Sequence, residues 1–172
     1  ALLIAIFIRS IFFQPFYIPS SSMEPNLLVG DRLFVSKYTY GYSRHSMPFS
    51  PKITNKRYFY NEPKRGDIVV FKTPSDNRTD FIKRLIGFPS DKIQIINSEL
   101  FINDRKIKRS KVDYISKINC GNDEMKVNAY EETLSNGVKY IAVYRKEGTI
   151  ANTDTFIVPE NHFFFMGDNR DC

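Results

Sequence analysis

The chain has 172 residues, room for one medium domain or for a core carrying an elaborate insertion. Hydrophobic residues make up 42%, enough for a core and too few for a polytopic membrane protein. The 25 Lys and Arg against 19 Asp and Glu give a formal charge of +6, which suits an acidic membrane surface, nucleic acid or a merely solvated basic surface and excludes none of the three.

The opening "ALLIAIFIRSIFF" is apolar apart from Arg9 and Ser10. It is shorter than the ~20 residues a helix needs to cross a bilayer core. The first residue is Ala, so the sequence reads as a fragment that begins inside a transmembrane helix and leaves the bilayer near residues 9–14. A cleavable signal peptide would need small residues at its cut, and "FFQPFYIP" is bulky. Residues 1–14 are therefore expected to be the end of a retained anchor.

"FYIPSSSMEP" follows, a serine triplet between two prolines. Proline on both sides favours an extended, exposed backbone that presents hydroxyls well, and it also describes an ordinary turn. "NLLVGDRLFVSKY" (residues 26–38) predicts two short strands around Gly30 and Asp31. Residues 40–65 are basic, tyrosine-rich and punctuated by proline, and are expected to be a loop. From residue 37 on, Tyr38, Tyr40, Tyr42, Tyr58, Phe59 and Tyr60 interleave with Lys37, Arg44, Lys52, Lys56 and Arg57. Such an aromatic-basic mixture fits lipid headgroups, and nucleic acid could use it too.

"GDIVVFK" reads as a buried strand, "PSDNRTD" as a turn and "FIKRLIGFP" as a second strand ended by Gly and Pro. "DKIQIINSELFINDRKI" predicts short strands with Asn103 and Asp104 as a hairpin turn. Residues 110–136 are polar and charged without a clear period, "VKYIAVYR" alternates as a strand does, and "TFIVPENHFFFMGDNRDC" supplies two more strands. The fold class is mainly β, and the less patterned residues 97–157 look like an insertion into a core.

Histidine chemistry is poorly supported. His45 lies in the basic loop and His162 within an apolar strand, and neither belongs to a metal or triad pattern. Cys120 and Cys172 are far apart, lack metal-ligand spacing and say little about redox compartment. A hydrolase would need another base, and Lys83 is the candidate. Strand alternation puts Phe81, Lys83 and Leu85 on one face and Ile82, Arg84 and Ile86 on the other. A lysine between apolar neighbours loses hydration, which lowers its pKa. It needs that, because an ordinary lysine is neutral in only about one molecule per few thousand at pH 7. An edge-strand lysine whose amine snorkels to water has the same pattern. Ser-Lys pairing is a known nucleophile-base arrangement, but spacing alone does not bring Ser22 to Lys83.

Four segments in order resemble the bacterial type I signal peptidases, membrane-anchored serine proteases that remove signal peptides from secreted proteins. "FYIPSSSMEPNLLVGD" resembles the nucleophile motif, in which the serine before methionine attacks, here Ser22. "GDRLFVSKYTYG" resembles the next motif, and "KRGDIVVFKTP" with "FIKRLIGFPSDKI" resembles the one whose general-base lysine falls on Lys83. "FFFMGDNRD" resembles the start of the last.

The resemblance implies a Ser-Lys protease core of the signal-peptidase and SOS-repressor type, at residues 15–96 and 158–172, with residues 97–157 as an inserted accessory β region. Ser20 would share oxyanion stabilisation with the Ser22 backbone N–H. Arg84, Asp168 and Arg170 would support the site, Met23 would pack, and Ser21 would have no chemical part. No cofactor and no metal are implied. The partners would be preproteins with signal peptides, cut after small residues, and membrane lipid, with no nucleic acid. The enzyme would sit in the bacterial inner membrane with its catalytic domain on the outer face. In the family the last motif continues with a Ser-x-Asp-Ser-Arg run whose serine orients the lysine. That run would begin at Cys172, so the chain as it stands is expected to be a poor catalyst. The rivals are a plasmid-transfer peptidase, a self-cleaving SOS-type repressor and a membrane-tethered binding module without catalysis. A repressor would carry a helical DNA-binding domain where this chain has its apolar opening.

Overall fold

The computed structural model describes residues 9, 11–46, 56–121 and 123–172. Most of the expected anchor, and Lys52 of the basic loop, lie outside the described residues. Among the described residues no helix is long and apolar enough to cross a membrane. The strands, in chain order, are β1 (Phe13–Tyr17), β2 (Arg32–Ser36), β3 (Ile68–Lys72), β4 (Asp80–Gly87), β5 (Lys92–Ile96), β6 (Glu99–Ile102) and β7 (Arg105–Lys106). They continue with β8 (Lys108–Val112), β9 (Lys117–Cys120), β10 (Asp123–Thr133), β11 (Lys139–Arg145), β12 (Phe156–Ile157) and β13 (Phe164–Met166). Single 3-10 turns occupy Ser21–Met23 and Arg44–Ser46. The molecule is mainly β, as its sequence patterning indicates.

The chain divides into two compact units. The first takes in Ala1–Ile18, Gly30–Pro63 and Lys72–Phe81. Its β1 pairs antiparallel with β2, from Phe13 opposite Ser36 to Tyr17 opposite Arg32. Phe13 and Gln14, read from sequence as the anchor's exit, thus lie in a strand. Tyr42 and Tyr58 bridge the loop by reciprocal backbone hydrogen bonds of 2.8 Å. Gly41 permits that closure: a Cβ there would meet the Tyr58 and Phe59 carbonyl oxygens at 2.4 Å. The unit's surface is aromatic, with Phe34 76% and Phe59 84% exposed beside exposed Tyr38, Tyr58 and Tyr60.

The second unit takes in Pro19–Val29, Lys64–Phe71 and Ile82–Cys172. The first of the two strands expected in residues 26–38 is absent. The Asn26 and Leu27 amides both donate to the Met23 carbonyl at 3.0 Å and fold that stretch into a turn, leaving only β2 extended. Asn103 and Asp104 do turn the hairpin, with φ of 53° and 61° between β6 and β7. The expectation failed most over residues 110–136, which hold β8, β9 and the eleven-residue β10. β10 pairs with β8, β9 and β11, all antiparallel.

The two faces of the β10–β11 pair contribute to different core clusters. Tyr140, Ala142, Tyr144 and Leu134 enter a core cluster with Ile86, Ile93, Leu100 and Val158. Val143, Met125, Val127 and Ala129 enter a second cluster with Ile118. Fully burying one such large apolar side chain contributes roughly 1.5–3 kcal/mol.

A disulfide joins Cys120, at the end of β9, to Cys172, across a sequence separation of 52 residues. On the chain-entropy account, closing a loop of that length stabilises the fold by roughly 4 kcal/mol. Spacing gave no hint of this pairing, because β9 and the chain's final residues meet only in the folded sheet.

Candidate active site

Pro19 and Pro25 bracket the serine triplet, and between them the chain closes one 3-10 turn, with the Glu24 amide donating to the Ser21 carbonyl at 3.0 Å. Met23 holds the turn inward with no exposed surface, so its expected packing part is met. Ser21 and Ser22 are buried with it, while Ser20, extended at φ −130° and ψ 150°, is exposed. The Ser20 and Ser22 hydroxyl oxygens lie 3.3 Å apart.

Lys83 is in β4, which runs between β13 and β3. It is therefore no edge-strand lysine. Its Nζ hydrogen-bonds to Ser22 Oγ, joining side chains 61 residues apart. Burial pushes the Lys83 amine below the ordinary lysine range, and the Asp168 carboxylate opposes that shift more weakly. A low-pKa amine in contact with a hydroxyl can take its proton once the amine is neutral.

The alternation read for β4 stops short of its end. From Gly87 to Leu85 the strand advances two residues while β13 advances one, from Phe164 to Phe165. Such a bulge re-aims side chains, and Arg84, Leu85 and Ile86 are all buried.

Arg84 holds Asp168 through two bonds of 2.7 Å, from Nε to Oδ1 and from Nη2 to Oδ2, and its Nη1 donates to the Gly66 carbonyl at 2.7 Å. Asn26 Nδ2 adds a bond of 2.8 Å to Asp168 Oδ2 and one of 2.7 Å to the Ile141 carbonyl. Arg84 thus ties the lysine strand to the last motif. Arg170 lies elsewhere in the arrangement. Its Nη2 donates to Glu132 Oε2 at 2.7 Å and to Tyr140 Oη at 2.9 Å. Tyr140 and Tyr144 donate to the same carboxylate at 2.6 and 2.5 Å. Burial pushes both phenols up, so both stay protonated as donors. Arg84 stacks over the Tyr140 ring, its Cζ 4.4 Å from the centroid.

The final segment grips the serine turn directly. Asn169 donates from its backbone to the Ser22 carbonyl and from Nδ2 to the Ser21 carbonyl, each at 3.2 Å. Gly167 passes so close that a Cβ would lie 2.4 Å from the Ser22 carbonyl oxygen. Ser21, expected to have no part, donates from its hydroxyl to Cys172 Sγ at 3.2 Å, since a disulfide sulfur has no proton to give.

Neither histidine hydrogen-bonds to Ser22 or Lys83 among the described residues. His45 Nε2 accepts from Arg44 Nε at 3.1 Å. His162, expected inside a strand, is exposed in the turn before β13, with Nδ1 2.8 Å from the Glu160 carbonyl oxygen. Among the described residues, no group of three His, Cys, Asp or Glu side chains has the geometry of a metal site.

Glu132, Tyr140, Tyr144, Asn169 and the disulfide were all missed from sequence. The two tyrosines did leave a signal, being four residues apart in an alternating strand and so on one face.

The whole chain, residues 1–172, matches the family described as signal peptidase, peptidase S26. It is 45% identical over 178 residues to a protein of Rickettsia prowazekii (strain Madrid E) named Signal peptidase I, covering 98% of this chain and 66% of that one. Proteins of the same name from Rickettsia felis (strain ATCC VR-1525 / URRWXCal2) and Rickettsia typhi (strain ATCC VR-144 / Wilmington) are 43% and 44% identical, each over 98% of this chain and over 65% and 66% of their own lengths. The chain spans about two thirds of the length of the relatives it matches. On the match over its whole length, the chain belongs to the signal peptidase family, peptidase S26.

Proposed function

We propose that the protein is a membrane-bound serine endopeptidase that cuts signal peptides from exported preproteins, with Ser22 as nucleophile and Lys83 as general base. The observation that carries this is the hydrogen bond between Lys83 Nζ and Ser22 Oγ. With the amine neutral, the same contact runs from the serine hydroxyl to the nitrogen. Ser22 Oγ then attacks the scissile carbonyl as its proton passes to Lys83. The Ser20 hydroxyl and the Ser22 backbone N–H receive the oxyanion. The tetrahedral intermediate collapses, and Lys83 returns the proton to the leaving amine. Lys83 next takes a proton from water, whose oxygen attacks the acyl ester, and passes it to Ser22 Oγ as the signal peptide leaves, which restores the hydroxyl and the neutral amine. Asp168 links the two segments that carry the pair, through Arg84 on the lysine strand and Asn26 after the serine turn, while Arg170 supports the neighbouring β10–β11 pair through Glu132 and Tyr140.

In this reading residues 1–14 end an anchor, residues 15–96 and 158–172 form the catalytic core, and residues 97–157 are an accessory region. The aromatic surface of the first unit, rich in lysine and arginine, suits a lipid headgroup region. The disulfide supports the outer face of the inner membrane, since disulfides persist in oxidising compartments. Small residues before the cut, typically alanine, are the proposed substrate preference.

The test uses the full-length protein in detergent with a purified preprotein. Ser22→Ala and Lys83→Ala should each abolish cleavage, while His45→Ala and His162→Ala should leave it largely intact. An active Lys83→Ala variant, with both histidine variants dead, would refute the mechanism.

A further inference from the structure

We propose that Cys172, through its disulfide with Cys120, is a positioning residue for Ser22, so that turnover depends on that disulfide being closed. The proposal rests on the Ser-Lys reading above. The geometry is a closed ring of contacts around the serine turn. From one side, Ser21 Oγ donates to Cys172 Sγ at 3.2 Å. From the other, the amide of Asn119, the neighbour of Cys120, donates to Glu24 Oε2 at 3.3 Å, and Glu24 directly follows the turn. The Cys120–Cys172 bond joins the two sides. Ser21 and Glu24 are 4% and 5% exposed, so each contact has one buried partner.

Opening the bond should loosen the turn without dismantling the site. The rest of the final segment has its own holds. Asp168 is bound by Arg84 and Asn26, and Asp171 accepts from the Arg145 amide at 2.7 Å and the Ile150 amide at 3.3 Å. What opening the bond releases is the tie between Cys172 and Cys120, and with it the sulfur's hold on the Ser21 hydroxyl. A dithiol reductant accomplishes this: each sulfur gains one electron and one proton to give a thiol, and the reductant closes its own disulfide. A nucleophile displaced by an ångström loses rate and not substrate binding. The reduced protein should therefore keep its KM and lose kcat.

The experiment compares full-length protein in detergent, oxidised and after dithiothreitol, with thiol alkylation and mass measurement to show the bond open. The expected result is a fall in kcat of about 10- to 100-fold at unchanged KM, reversed by glutathione disulfide, with the circular dichroism spectrum unchanged. Cys120→Ser and Cys172→Ser should sit at the reduced rate and ignore the reductant. Undiminished kcat in protein shown to be reduced would overturn the proposal alone. Undiminished cleavage by oxidised Ser22→Ala would overturn the functional reading and the proposal together. Should reduction alter the fold, Ser21→Ala decides, because it removes the hydroxyl–sulfur contact and keeps the bond. A roughly 2- to 10-fold fall in kcat at constant KM is expected from one lost hydrogen bond, and wild-type kcat in that variant would refute the idea.

Discussion

Asp168→Asn tests the buried pair and the base at once. Arg84 and Asp168 side chains are 7% and 1% exposed, so the guanidinium has no water to replace a lost carboxylate. Asparagine keeps one carbonyl oxygen for Arg84 and replaces the other acceptor with an amide. Breaking one partner of a buried pair costs about 3–5 kcal/mol, a large share of the ~5–15 kcal/mol that holds a typical domain together. The urea midpoint should fall accordingly. The effect on Lys83 has a definite sign. The Asp168 charge favours the ammonium, so its removal lowers the Lys83 pKa further, and the uncompensated Arg84 cation pushes the same way. Only the neutral amine accepts the serine proton, so the acid limb of the kcat/KM profile should move to lower pH. The assay is preprotein cleavage by the full-length variant across the pH range at constant ionic strength, at temperatures where circular dichroism shows it folded. An acid limb that stays put or moves to higher pH would refute the placing of Asp168 beside the base.

Ser20→Ala should lower kcat by roughly 10- to 10³-fold with little change in KM, the upper end being typical of one lost oxyanion donor; an equal rise in KM would assign Ser20 to substrate binding instead. Gly167→Ala forces a methyl group to within 2.4 Å of the Ser22 carbonyl, and should cut kcat by about 100-fold in protein that still folds; wild-type turnover would show that the turn has slack. Lys83→Met should abolish cleavage yet raise the unfolding midpoint at neutral pH. The depressed folded pKa means that the charged amine opposes folding. That cost is complete below the folded pKa and fades as pH rises to the ordinary lysine value. A variant less stable than wild type at pH 7 would contradict the burial argument.

The candidate pair was more legible in the sequence than the scaffold was. "PSSSMEP" and "FIKRLIG" pointed to Ser22 and Lys83 through the family resemblance, and the fold brings those two side chains together. β4 and β11 were also legible, each an apolar run bounded by turn residues. What eluded the reading depends on distant pairing. β10 alternates over Met125, Val127 and Ala129, but the pattern breaks off where Glu132, 1% exposed, stands in place of an apolar residue. No local pattern announces that this carboxylate is matched by Arg170, or that Cys120 will find Cys172. Ser21 was set aside on the family resemblance, which gave no sign of a partner 151 residues away.

Those separations have a consequence in time. Ser22 and Lys83 belong to the first half of the chain, but the groups that hold the serine turn arrive at positions 167–172. A ribosome adding about 5–20 residues per second exposes the serine well before Asn169 and Cys172 exist. Contacts between residues 148 and 151 positions apart also close late, after the local hairpins, because the loop entropy must be overcome first. The nascent protein therefore passes through a long interval in which both reactive groups are present and not yet aligned. The serine turn is therefore not fully held until residues 167–172 have been made and have docked on it.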